Sequence, residues 1–189
     1  ASDGVYYLAE ERQIYSIQSD GTKAAYGGGG YSNTINTTKP KGSVKYRNIG
    51  KMVIDKVSAR SQSGSADVIY FYDERVIRKL DLGAGLFTYV SGSTDWSENF
   101  VNGTLADAIF RNIQDIAISN DGNTLYVIDE NAIRAIDMAN DDVSTLTGAQ
   151  DWGYNDGSLS SARFEGPQGL AMDSSGDLIV RQYGKIRKI

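Results

Sequence analysis

The chain has 189 residues, of which 40% are hydrophobic and 23% charged, and its net charge is −5. This composition is typical of a globular protein with a substantial core, so we expect residues 1–189 to form a single domain. The acidic balance, with lysines and arginines scattered along the chain, argues against a nucleic-acid partner, because neutralising phosphates requires clustered cations. No run approaches the roughly 18 apolar residues of a transmembrane helix, and we expect no membrane insertion.

Four short apolar runs, each followed by the same anchor motif, recur along the chain. The motif is Ile-x-x-Ile or Ile-x-x-Leu, and it begins at Ile14, Ile77, Ile133 and Ile186. The apolar runs before it predict strands over residues 5–9, 68–72, 125–128 and 178–180. Because each strand recurs with its motif, we expect the four strands to occupy equivalent places in four successive structural units.

Two further strands complete each unit. An apolar stretch lies upstream at residues 52–55, 116–119 and 170–173, and an aromatic residue precedes it at Tyr46, Phe110 and Phe164. Downstream, another strand leads to Gly28, Gly92 and Gly148. The helix-like stretch at residues 105–110 is too short to be stable alone. We therefore predict an all-β fold, a β-propeller or propeller arc of about four four-stranded blades, with a first blade lacking its first strand and a last blade lacking its fourth.

The last unit resembles an NHL repeat. It carries an Asp-Gly, an Ala-x-Phe, a Pro-x-Gly, a Gly-Asp and an Ile-Arg-Lys-Ile, at residues 156–157, 162–164, 167–169, 176–177 and 186–189. The unit at residues 102–136 matches this pattern more loosely, and the unit at residues 44–80 carries an insertion at residues 56–66. The resemblance implies a β-propeller, and propellers similar to this one include metal-dependent lyases and lactonases.

The chain contains neither histidine nor cysteine. It therefore has no Ser-His or Cys-His nucleophilic pair, no imidazole base and none of the usual nitrogen and sulfur ligands of zinc. We expect no enzyme activity, no cofactor and no bound metal. The alternative is a calcium-dependent propeller enzyme, lactonase-like or lyase-like, that uses carboxylates in the channel.

Acids and arginines recur once per unit, at Glu10, Asp73 and Asp129 and at Arg78, Arg134 and Arg187. A residue that repeats at the same strand end in every blade usually satisfies turn amides or pairs with a neighbouring blade. We therefore expect a structural role for both series.

The candidate ligand-binding residues lie in two related loops. They are Trp96, Asp151, Trp152, Tyr154 and Asp156. Carboxylates beside aromatic rings are typical of a calcium site or a sugar-stacking platform. Because the tryptophan is part of the repeat, we favour packing between blades for it and keep ligand binding as the alternative.

Two Asn-x-Thr sequons, at Asn36 and Asn102, fall in predicted loops and make these residues candidates for glycosylation. Together with the absence of an initiator methionine, they favour a secreted or cell-surface protein. We expect a non-catalytic extracellular interaction or structural module, built into a glycoprotein assembly or fibre. Its partner would be a protein, either a neighbouring copy or the remainder of the same chain, and in addition a glycan, because the incomplete first and last blades leave strand edges to be paired.

Overall fold

The computed structural model describes residues 5–28, 39–40, 46–56, 67–95, 97 and 99–189. Within these residues it contains strands, isolated bridges, turns and bends. Residues 105–107 form a turn, and residues 108–110 are not helical. The strands are β1 (Tyr6–Glu10), β2 (Gln13–Ile17), β3 (Lys23–Gly28), β4 (Lys39–Pro40), β5 (Ile49–Asp55), β6 (Val68–Asp73), β7 (Val76–Asp81), β8 (Leu86–Gly92), β9 (Ile113–Ile118), β10 (Thr124–Asp129), β11 (Ala132–Asp137), β12 (Asp142–Gly148), β13 (Pro167–Met172), β14 (Leu178–Gln182) and β15 (Lys185–Lys188). No helix long and apolar enough to cross a membrane occurs in this part of the chain.

The chain divides into two compact units, Ala1–Val90 and Ser91–Ile189. The first contains a three-stranded sheet in the order β1-β2-β3 and a five-stranded sheet in the order β4-β8-β7-β6-β5. Its core includes Ile14, Tyr46, Phe71 and Phe87. The rings of Tyr46 and Phe71 meet edge to face, with 5.3 Å between their centroids. This geometry is favoured by the opposite charge of ring faces and edges.

The second unit contains a four-stranded sheet in the order β12-β11-β10-β9 and a three-stranded sheet in the order β13-β14-β15. Its core joins Ile128 and Ile133 of the first sheet to Leu170 and Val180 of the second, with Phe164 between them in the sequence. Each unit thus has its own hydrophobic core, and the expected single domain over residues 1–189 stays a prediction.

The hairpins that precede the anchor motifs share one backbone geometry. Two-residue loops join β1 to β2, β6 to β7 and β10 to β11. The first loop residue lies in the left-handed region each time, at φ 51° for Glu11, 57° for Glu74 and 56° for Glu130. Such tight loops match the right-handed twist of the strands they join. The fourth hairpin places the left-handed residue at Gly184, with φ 70°.

The structure confirms the predicted all-β propeller fold with repeated small sheets. The four predicted strands are β1, β6, β10 and β14, and each pairs with the strand that carries the anchor motif. The following strands β3, β8 and β12 end at Gly28, Gly92 and Gly148, as expected. The first and last sheets have three strands each. Among the described residues, the strand that the repeat did not predict is β4, which pairs with Phe87 and Leu86 on the outer side of β8.

Candidate functional site

A buried arginine organises the loops of the third sheet. Arg134 on β11 is fully buried, and its guanidinium carbon lies 4.6 Å from the ring centroid of Phe100 and 5.0 Å from that of Phe110. Its Nη1 donates to a carboxylate oxygen of Asp129 at 3.0 Å and to the carbonyl oxygen of Ile109 at 3.2 Å. Because a buried charge is tolerated only when it is paired and hydrogen-bonded, this arrangement stabilises one conformation of the surrounding chain.

The second nitrogen of the same guanidinium reaches the preceding loop. Nη2 of Arg134 donates to the carbonyl oxygen of Val101 at 2.8 Å and to Oδ1 of Asn102 at 2.9 Å. Arg134 therefore binds acceptors from three places in the sequence. We call this arrangement, an anchor-strand arginine with its acceptors and aromatic rings, the arginine clip.

Asp129 is fully engaged within the clip. Its Oδ1 accepts hydrogen bonds from the backbone N–H groups of Arg111 at 2.9 Å and Asn112 at 2.8 Å, while Oδ2 faces Arg134. Burial raises the pKa of this carboxyl, against the opposing effect of the N–H donors and the arginine. The recurrent acid thus has the expected structural role.

The same geometry recurs in the second sheet of the first unit. Oδ1 of Asp73 accepts from the backbone N–H groups of Arg47 at 2.8 Å and Asn48 at 3.0 Å, and Oδ2 lies 3.3 Å from Nε of Arg78. In the first sheet Glu10 pairs with Lys23 at 2.6 Å on the surface. The spacing of Asp73 and Asp129 therefore reflects blade construction, whereas Glu10 forms an exposed ion pair within its own sheet.

The fourth sheet contains a modified clip. Nη1 of Arg187 donates to the carbonyl oxygen of Arg163 at 2.6 Å, and Nη2 donates to that of Asn155 at 2.9 Å. Gln182 occupies the place of Asp129, and the counter-charge comes from Asp156, whose Oδ1 lies 2.7 Å from Nη2 of Arg187. The buried Oε1 of Gln182 has no hydrogen-bond partner among the described residues.

The aromatic loop, residues 151–157, precedes this clip and carries four of the five predicted ligand-binding residues. The side chain of Trp152 is 74% exposed and that of Tyr154 is 48% exposed. Nζ of Lys185 lies 3.8 Å from the ring centroid of Tyr154. The structure therefore brings Trp152 and Tyr154 to the surface. The favoured expectation that the repeated tryptophan packs between blades is wrong for Trp152, because such packing would have buried its side chain.

The acidic residues of the aromatic loop have different environments. Asp151 is exposed, and Asp156 is bound to Arg187. In the part of the chain that the structure describes, no group of three or more acidic side chains is arranged to hold a metal ion. The fifth candidate, Trp96, lies outside the described residues.

Asn102 has a structural role that the sequence analysis missed. Besides the bond from Arg134, its Oδ1 accepts one from the hydroxyl of Thr145 at 3.1 Å. The repeat contained the signal, because Asn102-Gly103 aligns with Asp156-Gly157 of the next unit, where the same position binds the arginine. The residue is exposed, and its glycosylation stays a prediction. The other sequon, at Asn36, lies outside the described residues.

Comparison with known proteins supports the fold. No protein-family model matches the chain. The chain is 27% identical over 187 residues to Protein SUPPRESSOR OF QUENCHING 1, chloroplastic, of Arabidopsis thaliana. The match covers 92% of this chain and 16% of that protein. The chain thus spans about a sixth of the length of this curated relative. Membership of the NHL family stays a prediction.

Solved structures from Bacteroides thetaiotaomicron share the fold at low sequence identity. A structural genomics protein of unknown function has a TM-score of 0.70 and 18% identity, over 99% of this chain and 44% of that one. An auxiliary nutrient binding protein has a TM-score of 0.62 and 19% identity, over 94% of this chain and 42% of that one. An extracellular domain has a TM-score of 0.56 and 10% identity, over 100% of this chain and 20% of that one.

Proposed function

We propose that this chain is a non-catalytic binding module of a longer protein and that it contacts another polypeptide through the aromatic loop. The observation that carries the proposal is the exposure of Trp152, at 74%, beside the half-exposed Tyr154. Exposed tryptophan and tyrosine are enriched where proteins bind one another, since they offer a large contact area at a low entropic cost.

The backbone of the loop is held in place, which favours binding. The N–H of Gly153 donates to the carbonyl oxygen of Phe164 at 3.1 Å, and Asn155 forms a β-bridge with Arg163. The carbonyl oxygen of Asn155 also accepts from Arg187. A surface that is already ordered loses less conformational entropy when a partner binds.

The engagement of the recurrent acids supports the non-catalytic part of the proposal. Both oxygens of Asp73 and of Asp129 accept from N–H donors, and each acid faces an arginine. An acid or base in catalysis needs an oxygen that can reach its substrate. We therefore prefer a binding module to the calcium-dependent enzyme.

We place the module outside the cell or at its surface. The exposed sequon at Asn102 supports this localisation, and so does the likeness of the fold to an extracellular domain and to a nutrient binding protein. The curated relative is named as chloroplastic, so the localisation has its own test. Glycopeptide mass spectrometry of the natural protein should find a glycan on Asn102. Complete absence of a glycan from Asn102 would contradict the extracellular assignment.

Site-directed photo-crosslinking tests the binding surface. The photoreactive amino acid p-benzoylphenylalanine replaces Trp152 in the natural full-length protein in its own cells, and the same probe replaces Ser175, in the exposed turn between β13 and β14, as the control. We expect illumination to link position 152 to a polypeptide several times more efficiently than position 175. Equal yields would contradict the proposal. A crosslinked product that carries only sugar would show that the partner is a glycan and that the proposed polypeptide partner is wrong.

A further inference from the structure

An ion pair recurs in the second and third sheets, where it joins the segment before the sheet to the hairpin of the same sheet. Nη1 of Arg47 lies 3.2 Å from Oε2 of Glu74. Nη1 of Arg111 lies 2.7 Å from Oε2 of Glu130. The arginine follows the buried aromatic residue that precedes the sheet, and the glutamate is the first residue of the hairpin loop. A cation and an acid of the same sheet thus share this position of the repeat.

Both members of the pair are replaced in the fourth sheet. Glu165, directly after the buried Phe164, stands in the place of the arginine. Tyr183, the first residue of the loop between β14 and β15, stands in the place of the glutamate and is 81% exposed. Glu165 is exposed, and its carboxylate has no hydrogen bond or ion pair among the described residues. The fourth sheet therefore presents an acid without its arginine, together with an aromatic ring.

The position is accessible in the repeats that another repeat follows. The four side chains of the two ion pairs keep between 19% and 43% of their surface exposed. Glu165 and Tyr183 belong to the equivalent segments, before β13 and between β14 and β15. Their accessibility therefore follows from their place in the repeat, and the missing arginine from the substitution.

Asn131 connects this position to the aromatic loop. Its Nδ2 donates to the carbonyl oxygen of Gln150 at 3.1 Å, and its Oδ1 accepts from the N–H of Gly166 at 3.2 Å. A Cβ added to Gly166 would lie 4.0 Å from Cδ2 of Tyr183. Gly166 thus lies beside both the start of the aromatic loop and the ring of Tyr183.

Four exposed side chains follow from these contacts on one surface, two carboxylates and two aromatic rings. We call this surface the acidic aromatic patch, and its members are Asp151, Trp152, Glu165 and Tyr183. The carboxylate of Asp151, like that of Glu165, has no partner among the described residues. Neighbouring cations are engaged elsewhere, since Arg163 donates to the carbonyl oxygen of Ala162 at 2.8 Å and Lys185 lies against Tyr154.

We propose that the acidic aromatic patch binds an arginine side chain of the partner polypeptide. The inference rests on the proposed function, in which the aromatic loop contacts a polypeptide, and adds the chemistry of that contact. The guanidinium would pair with the carboxylate of Glu165, as Arg111 pairs with Glu130, and would lie against the rings of Tyr183 and Trp152. The partner would then supply from outside the cation that the other sheets contain.

Arginine suits the patch better than lysine does. A planar guanidinium stacks on an aromatic ring and binds a carboxylate through two parallel N–H donors. The chain itself uses this chemistry, since the guanidinium carbon of Arg134 lies 4.6 Å from the ring centroid of Phe100 and the group also binds Asp129. The net charge of −5 favours the approach of a basic segment.

A peptide titration tests the chemistry of the patch. The probe is a blocked Gly-Arg-Gly tripeptide, and the matched ligand carries citrulline, which has a similar shape without the charge. NMR spectra of the isotope-labelled chain follow the indole N–H of Trp152 and the amide of Gly166. We expect millimolar binding of the arginine peptide, roughly tenfold tighter than that of the citrulline peptide, because the latter lacks both the ion pair and the cation–π contact.

Variants locate the contact. Glu165→Gln should weaken binding of the arginine peptide by about threefold to fivefold, whereas Asp142→Asn, at an exposed acid of β12, should leave it unchanged. The double variant Glu165→Arg with Tyr183→Glu recreates the pair of the third sheet and should abolish binding. Its melting temperature reports whether it is folded, and if it is not, Glu165→Gln decides. Equal binding of the two peptides, no shift at millimolar peptide, or undiminished binding by the folded double variant would overturn the proposal.

Photo-crosslinking separates this inference from the proposed function. The probe at position 152 of the natural protein is combined with Glu165→Gln, and we expect the yield of the polypeptide product to fall several-fold. An unchanged yield would overturn the arginine contact and leave the polypeptide partner in place. Absence of a polypeptide product while Glu165 is present would contradict the proposed function itself.

Discussion

Asp156 forms a 2.7 Å ion pair with Arg187 at the loop position where, one repeat earlier, the amide of Asn102 binds Arg134. At the last residue of the strand before the hairpin loop the change is reversed: the third sheet has the carboxylate of Asp129 and the fourth sheet has the amide of Gln182. Arg134 is fully buried and Arg187 is partly buried. Each arginine contacts one carboxylate and has one amide at the second position, but the two repeats place them in exchanged order. A buried guanidinium needs one counter-charge, and the fold accepts that charge from either side.

The exchange predicts compensation in the third sheet. Asp129→Asn should destabilise the protein by about 3–5 kcal/mol, because Arg134 loses its buried counter-charge. Adding Asn102→Asp should recover a substantial part of this loss, since a carboxylate then lies where Asp156 lies in the fourth sheet. Urea denaturation of both variants measures the difference, with Asn102→Asp alone as the control. A double variant no more stable than Asp129→Asn would refute the exchange.

Replacing the first isoleucine of the Ile-x-x-Ile motif by alanine should change the free energy of unfolding by different amounts in the third and fourth sheets. Ile133→Ala should lower the free energy of unfolding by about 2–5 kcal/mol, because it opens a cavity in a packed core. Ile186→Ala should change it by less than about 0.5 kcal/mol in the same chain, because the side chain is exposed. Thermal or urea denaturation checks both variants. Similar losses at the two positions would mean that Ile186 is covered within this chain.

Asp173, in the turn between β13 and β14, should make the stability of the protein depend on pH. The backbone N–H of Asp177 is the main cause that lowers the pKa of Asp173, and the backbone N–H of Ser175 and the charge of Lys188 act in the same direction. A lowered folded-state pKa contributes stability above the unfolded pKa of about 3.9, and this is lost as the pH falls through the folded value. Asp173→Asn should therefore show a smaller loss of melting temperature between neutral pH and acid than the parent chain. Parallel pH curves would contradict this expectation.

Calcium separates the binding module from the enzymatic alternative. A calcium site occupied at 100 times its dissociation constant would stabilise the folded chain by about 2.7 kcal/mol, which a thermal melt detects as a clear rise in melting temperature. We expect no rise in millimolar calcium chloride, with magnesium chloride as the control for ionic strength. A calcium-specific rise that Asp151→Asn removes would favour the enzyme and place its metal in the aromatic loop.

Much of the fold was predictable because its signals are local. An apolar run, a two-residue loop and an Ile-x-x-Ile motif lie within a few residues of one another. Their recurrence predicted strands over residues 68–72 and 125–128, and the structure has these strands as Val68–Asp73 and Thr124–Asp129. Glycines at the ends of the following strands were predicted in the same way. At Gly148, φ is 83° and an added Cβ would lie 2.5 Å from the carbonyl oxygen of Asn131, which explains why only glycine fits there. The short strand β4 has no counterpart in the repeat and was missed.

The candidate site was predictable only in part. The sequence by itself determined which residue types repeat, so the structural role of the acids and the interest of the aromatic loop followed from spacing. Only the tertiary structure decided that Arg134 gathers acceptors from distant segments, that Asn102 is one of them, and that Trp152 and Ile186 are exposed while their surroundings are ordered. The physical reason is that propensity and pattern act over a few residues, whereas burial and the pairing of a buried charge depend on segments that packing brings together.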